Sequence, residues 1–334
     1  MPPLPLLHEA TLDTLRNSSN LLAFSGGSDS TALFFLLQEY GIAFDIALVN
    51  YQTRALSDAE ESYAKELGAR YGKKVFTFTC KLGDENFEHK ARLVRYTFFE
   101  QLIREHGYTT LLTAHHLNDT LEWFLMQLCR GAGVVEMVGM RTFEDKEDYT
   151  LIRPLLHLPK SMLLEYLHTK QHSYFIDESN ATDAHLRNYF RHHFANTLLQ
   201  NYATGIAKSF HYLREDAKRL LPNTHFRIHD LFVFPRQEDD VMMIRHIDKV
   251  LKRLGLVMSH AQRNEILRIK DGVVGGKIAV CFGAEFVFIA PFTRTPMPKS
   301  FKESCRLYAI PAKIRPYMYA LNIYPSALHL NRKP

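Results

Sequence analysis

The sequence predicts an α/β fold: a doubly wound parallel sheet of five strands, followed by a mainly helical, basic C-terminal part carrying a small hairpin. Three observations point there. Up to Pro154, short apolar runs alternate with amphipathic stretches, the pattern of a parallel sheet covered by helices. After Pro154 the pattern turns to helices. The charge divides along the chain as well: residues 1 to 195 hold 19 Lys and Arg against 25 Asp and Glu, a balance of −6, and residues 196 to 334 hold 22 against 11, a balance of +11.

The expected strands, in order, are Asn20 to Phe24, Phe44 to Asn50, Lys74 to Thr79, Thr109 to Thr113 and Thr150 to Arg153. Between them the spacing of apolar residues predicts helices over Asp29 to Tyr40, Ser57 to Tyr71, Asn86 to Gly107 and Leu117 to Arg130. Ser57 followed by Glu60 has the spacing of a capping box, and Gly41, Gly72 and Gly107 stand where helices should stop. Helices are then expected over Lys160 to Gln171, Arg187 to Gln200 and Asn201 to Leu221, with two basic amphipathic helices between Val241 and Lys270. Lys277 to Phe282 and Glu285 to Ala290 read as a hairpin turning at Gly283-Ala284. Gly272 to Ile278 imitates a phosphate loop but has the wrong spacing and reads as a hairpin turn. The expected organisation is an α/β domain over 1–195, a helical linker over 196–255 and a small basic domain over 256–334.

At 334 residues, 46% hydrophobic and 23% charged, the chain has the composition of a globular protein large enough for two or three domains. Disordered and disulfide-stapled classes are excluded on that ground. The opening residues lack a signal-peptide pattern and no apolar run is long enough to span a bilayer, so no membrane is expected and the expected location is the cytoplasm. Cys80, Cys129, Cys281 and Cys305 form no CxxC pair, which fits reduced thiols. The basic second half suits a polyanion such as nucleic acid; by charge alone, a role in solubility fits equally well.

The strongest local signal is Ser25-Gly26-Gly27-Ser28-Asp29-Ser30, directly after the first strand and directly before its helix. Adjacent glycines let the backbone bring N–H groups against phosphate oxygens, the helix N-terminus adds its positive end, and three hydroxyls can donate to the same oxygens. Asp29 would repel phosphate unless a cation lay between, so its position implies Mg²⁺. Gly-Gly-Ser-Asp is also an ordinary capped turn, but strand, helix and hydroxyls together favour a nucleotide. The second constellation is Ala114-His115-His116-Leu117-Asn118-Asp119-Thr120-Leu121-Glu122, at the end of the fourth strand. Asp119 and Glu122 share a helix face and could hold a cationic amine or a metal, and His115 or His116 could shuttle a proton. The plainer alternative is a solvated helix end.

Ser25 to Ser30 resembles the SGGxDS loop of the PP-loop ATP pyrophosphatases, which adenylate a carbonyl oxygen and let a nucleophile displace AMP. The AHHxxDxxE block is similar to one shared by the tRNA(Ile)-lysidine synthetases and the tRNA thiolases. Leu151 to Leu156 followed by Lys160, and Asp177 to Asn180 followed by Arg187 to Arg191, resemble blocks of the lysidine synthetases, as do the segments Val49 to Arg54 and Glu88 to Tyr96. Asn118, Thr120 and Trp123 depart from the common pattern of that family, while Asp119 and Glu122 keep it. The resemblance implies a Rossmann-like ATP pyrophosphatase domain and an enzyme that adenylates C2 of the wobble cytidine of CAU-anticodon tRNA(Ile) with ATP and Mg²⁺, then replaces AMP by L-lysine. It implies ATP on Ser25, Gly26, Gly27, Ser28, Asp29 and Ser30, the metal on Asp29, catalytic roles for Asp29, Asp119 and Glu122, and substrate contacts from Asp119, Glu122, His115, Arg187 and Arg191. A homodimer is compatible with it. The alternatives are a PP-loop tRNA thiolase, which would need Cys80 or Cys129, and a non-catalytic, nucleotide-gated RNA-binding protein.

Overall fold

The chain enters through helix α1 (Glu9–Arg16) and goes directly to the middle of a sheet, β1 (Asn20–Ala23). A computed structural model describes residues 6–52, 57–83, 86–176, 186–220, 226–328 and 330. Two compact units divide the chain, Met1–Ala217 and Lys218–Pro334. Asp177 to Asn180 and Arg54, which carry part of the family resemblance, lie outside the described residues.

In the first unit β1 is followed by α2 (Ser28–Glu39), β2 (Asp45–Asn50), α3 (Ser57–Tyr71), β3 (Val75–Thr79), α4 (Phe87–His106), β4 (Thr110–Leu112), α5 (Leu117–Cys129), the short α6 (Val134–Val138), β5 (Phe143–Asp145), β6 (Thr150–Ile152) and α7 (Lys160–Thr169). The strands form one sheet in the order β3-β2-β1-β4-β6-β5. The five expected strands are all present and mutually parallel. The sheet nevertheless has six strands, because β5 adds antiparallel to β6 at the edge. β5 is only Phe-Glu-Asp, in a charged stretch that reads as loop, and its partner supplies all its order.

The sheet is buried on both faces, and strand period decides which residue goes where. Leu22, Leu112 and Ile152, paired across β1, β4 and β6, join the core under α2, α3 and α7. Their neighbours Leu21, Leu111 and Leu151 face the other way, onto Phe99, Leu102 and Ile103 of α4. α2 lies inside the protein and buries every position from Ser28 to Leu37 except Asp29, which is why its apolar residues show no single stripe. α4 stops at Gly107, at φ 70°, a left-handed position that glycine takes without strain.

Beyond β6, α8 (Leu186–Phe190) runs through a π-helical turn over Arg191–Ala195 into α9 (Asn196–Leu220), which kinks at Tyr202. Ala195, Leu199 and Phe210 pack on Leu117 and Leu121 of α5. The second unit, expected to be helical with one hairpin, is built around a sheet instead. It holds β7 (Phe226–Ile228), β8 (Leu231–Pro235), α10 (Asp240–Arg253), α11 (His260–Ile269), β9 (Asp271–Val274), β10 (Ile278–Phe282), β11 (Phe286–Pro291), α12 (Lys299–Leu307) and α13 (Arg315–Ala320). The expected hairpin, β10 and β11, is the centre of a five-stranded sheet ordered β7-β8-β11-β10-β9, and Gly275-Gly276 turn β9 into β10. One face of this sheet packs on α10 and α11, the other on α12 and α13. Cys281 and Cys305 are core residues there, and burial pushes the Cys305 thiol up to about 11. No described helix is long and apolar enough to cross a membrane.

Gly68 of α3 tests how tightly helix and sheet fit, since a Cβ there would overlap Val75 Cγ2 of β3 and lie 3.0 Å from the Lys73 carbonyl oxygen. Gly68→Ala gains about 1 kcal/mol of helix propensity but overpacks by about 1–3 kcal/mol. Urea denaturation should therefore show a net loss of about 1 kcal/mol, removed when Val75→Ala is made in the same chain.

Candidate active site

The chain leaves β1 to build β2 and β3 on one side, then returns to lay β4 on the other. The loops after β1 and β4 therefore diverge over a crevice at the carboxyl ends of the strands. Ser25 to Ser30 follows β1 and Ala114 to Glu122 follows β4, so the two motifs, some ninety residues apart in sequence, face one cleft of about 530 Å³.

Gly26 has φ +75°, and a Cβ on it would press within 3.3 Å of Phe175 Cδ2. Phe175 donates its backbone N–H to the Gly26 carbonyl at 2.9 Å, so the loop is fixed from outside as well. Within it, the Ser25 N–H donates to Ser30 Oγ and the Ser30 hydroxyl to the Gly27 carbonyl, both at 3.2 Å, while the Ser28 hydroxyl donates to Asp29 Oδ1 at 3.1 Å. α2 begins at Ser28 with Gly27 as its cap. The first N–H groups of a helix have no intrahelical acceptor, and here they start at the cleft floor, aimed where an anion would sit.

His116 joins the two motifs. It is 3% exposed, with Nε2 3.4 Å from Asp29 Oδ2 and Nδ1 3.6 Å from Asp119 Oδ2, and its backbone N–H donates to Asp119 Oδ2 at 2.9 Å. Burial alone would favour the neutral imidazole, but Asp119 and Asp29 outweigh it and raise the His116 pKa. Burial would raise the carboxyls in turn; His116 with Lys160 holds Asp29 well below the usual carboxylate range, and His116 with Arg187 does the same for Asp119. Lys160 at the start of α7 reaches Asp29 Oδ2 at 3.3 Å, and its backbone N–H donates to Asn118 Oδ1 at 3.0 Å. His115 differs from its neighbour: burial lowers it to about 4, and its Nδ1 lies 2.9 Å from Thr113 Oγ1.

Deeper in the cleft, Glu122 is fully buried and Asp119 nearly so. Arg187 Nε donates to Glu122 Oε2 at 2.7 Å and its Nη2 to Asp119 Oδ1 at 2.5 Å; Arg191 Nε donates to Glu122 Oε1 at 2.6 Å. One helical turn separates the two arginines, so both forks reach the same carboxylate. All the residues singled out from the sequence thus come together: the loop at one end, Asp119, Glu122, Arg187 and Arg191 at the other. Two members of the site are faint in the sequence. His116 is there one of two adjacent histidines with equal claims, and only burial shows that it is the one between the motifs. Lys160 merely trails a resembling block, and its approach to Asp29 depends on how α7 packs on α2. Arg153 of the same block is buried in the β5–β6 hairpin, donating to the Arg141 carbonyl at 2.9 Å and pairing with Glu144 at 2.9 Å.

Glu122→Ala leaves Arg191 facing a vacated pocket, and breaking a buried pair on one side costs about 3–5 kcal/mol. Because Arg187 is half exposed and can turn to water, the denaturation midpoint should report the lower end, about 3 kcal/mol. For His115, whose folded pKa is depressed, the native state holds the neutral ring, so its stability contribution is complete above the ordinary value near 6.5 and falls as pH drops towards 4. A histidine NMR titration should show one imidazole still neutral at pH 5.5 and absent from His115→Asn.

The family model of the PP-loop domain, an ATP-binding domain, matches residues 7–198. A tRNA(Ile)-lysidine synthase of Wolinella succinogenes is 48% identical over 93% of this chain and 96% of its own length. Another, from Campylobacter jejuni, is 43% identical over 96% of this chain and 99% of its own. Among solved structures, a U34-tRNA thiolase of Methanococcus maripaludis superposes with a TM-score of 0.51 at 17% identity, covering 63% of this chain and 75% of that one, a likeness of fold. With its phosphate loop, its carboxylate pair and relatives matched nearly end to end, the chain belongs to the tRNA(Ile)-lysidine synthase family of PP-loop proteins.

Proposed function

We propose that this chain adenylates C2 of the wobble cytidine of CAU-anticodon tRNA(Ile) with ATP and replaces AMP by L-lysine. The observation that carries the reading is the convergence of the Ser25–Ser30 loop and the Asp119–Glu122 pair on one cleft. ATP lies along the loop, its phosphates on the N–H groups of α2 and the hydroxyls of Ser25, Ser28 and Ser30. Asp29 fits Mg²⁺, which commonly takes one or two carboxylates and completes its shell with substrate phosphates and water. Among the described residues no group of three acidic, His or Cys side chains is placed to hold a metal unaided, which suits a single carboxylate of this kind. When bound, the ion would offset charge on the leaving pyrophosphate. Lys160, beside Asp29, brings a second positive charge to the same place.

The cytosine O2 attacks the α-phosphorus, pyrophosphate leaves, and the lysine ε-nitrogen then bonds to C2 as AMP departs. Asp119 and Glu122 hold that nitrogen. Their oxygens are taken by Arg187 and Arg191, so lysine displaces Arg187, the more exposed of the two, whose guanidinium then meets the lysine carboxylate. His115 is neutral at pH 7, and with Nδ1 donating to Thr113 its Nε2 takes the proton that the nitrogen sheds. In this reading the unit Met1–Ala217 performs the chemistry and the basic Lys218–Pro334 grips the tRNA body.

Labelled lysine incubated with Mg-ATP and an unmodified CAU-anticodon tRNA(Ile) transcript should enter the RNA only when ATP is present. Asp29→Ala should abolish incorporation, and Arg187→Ala should raise the KM for lysine at least tenfold with less effect on that for ATP. AMP release without lysine incorporation would reject lysine as the nucleophile.

A further inference from the structure

The cleft extends beyond the reacting groups. Past the loop it is lined by Tyr51 at the end of β2 and by Phe87, Arg92, Arg95 and Tyr96 of α4, none of which the chemistry above uses. Arg92 and Arg95 are three residues apart and exposed, so they share one edge of the helix. Each guanidinium lies near an aromatic ring: Arg92 is 4.6 Å from the Tyr96 centroid and Arg95 is 5.9 Å from that of Tyr51. The Tyr51 ring is fixed in turn, its hydroxyl donating to the Ala91 carbonyl at 2.7 Å and accepting from Arg95 Nε at 3.2 Å, with Phe87 edge-on at 5.8 Å. Among the described residues neither guanidinium forms an ion pair, whereas Arg187 and Arg191 are committed to carboxylates. Arg92 is also near enough to the reacting end for its charge to be felt by His115.

We propose that Tyr51, Arg92, Arg95 and Tyr96 form a platform for the single-stranded RNA next to the reacting cytosine, its bases stacking on the rings and its backbone phosphates meeting the two guanidiniums. The inference rests on the function proposed above and assigns the RNA a place within that cleft. Aromatic rings interleaved with arginines suit splayed RNA, because every base has a face to stack and every linkage a charge. Free lysine offers one small carboxylate and no flat surface. Two guanidiniums backed by rings exceed what it could use.

The test uses the full chain, an unmodified CAU-anticodon tRNA(Ile) transcript and filter binding from about 50 to about 200 mM salt. Arg92→Gln with Arg95→Gln should weaken RNA binding about tenfold and lower the salt slope by about 1 for each phosphate no longer neutralised. Tyr51→Leu should weaken binding with the slope unchanged, and in all variants the KM values for lysine and ATP should stay at the wild-type level. Unchanged RNA affinity and slope would overturn the platform. A raised KM for lysine with RNA binding intact would overturn it too, making the arginines a carboxylate subsite. Because RNA binding is measured directly, the expected losses in a protein that incorporates no lysine would sustain the platform while removing the lysine reading.

Discussion

One buried carboxylate organises the site. Glu122 has no exposed surface and sits on a helix whose other inward residues are mostly apolar, so its charge is tolerable only if cations are brought to it. They come from sixty-five and sixty-nine residues downstream. In answering that demand Arg187 and Arg191 dock α8 and the following turn on α5, and α9 follows them with the apolar contacts of Leu199 and Phe210. The pair is thus both a structural clasp and the place where a cationic substrate would compete. A lysine ammonium entering there substitutes one cation for another, which keeps the carboxylates compensated throughout.

His116 makes the second coupling. The loop after β1 and the helix after β4 are neighbours by topology, but a buried imidazole between two carboxylates fixes their separation. The nucleotide end and the amine end of the cleft therefore share one charge network running from Lys160 through Asp29, His116 and Asp119 to Arg187. A change at either end is felt at the other through groups in contact.

The first unit is legible in the sequence because each strand is a short apolar run followed by a helix with recognisable stops, and because its chemistry lies in two contiguous motifs. What escapes there is set by tertiary contact: β5, which exists only as the partner of β6, and Lys160, whose reach to Asp29 depends on α7. The second unit is legible only in its central hairpin. Its sheet is covered on both faces, so Phe232 and Phe234 go one way and Leu231 and Val233 the other, and β8 loses the alternation that marks a strand with one wet side. Two-sided burial erases in β8 the same signal that it erases in α2.

The π turn over Arg191–Ala195 carries a consequence for how this stretch of chain can vary. A wide turn accommodates one residue more than an α-helical turn of the same rise, and it lies between the arginines that face Glu122 and the apolar side chains that face Leu117 and Leu121. It therefore sets the angular phase between two inward-facing stripes. Deleting a single residue there would restore regular winding yet rotate Leu199 and Phe210 by about 100° relative to Arg187, turning an apolar stripe towards solvent. Substitution within the turn is a local matter, whereas a change of length is not.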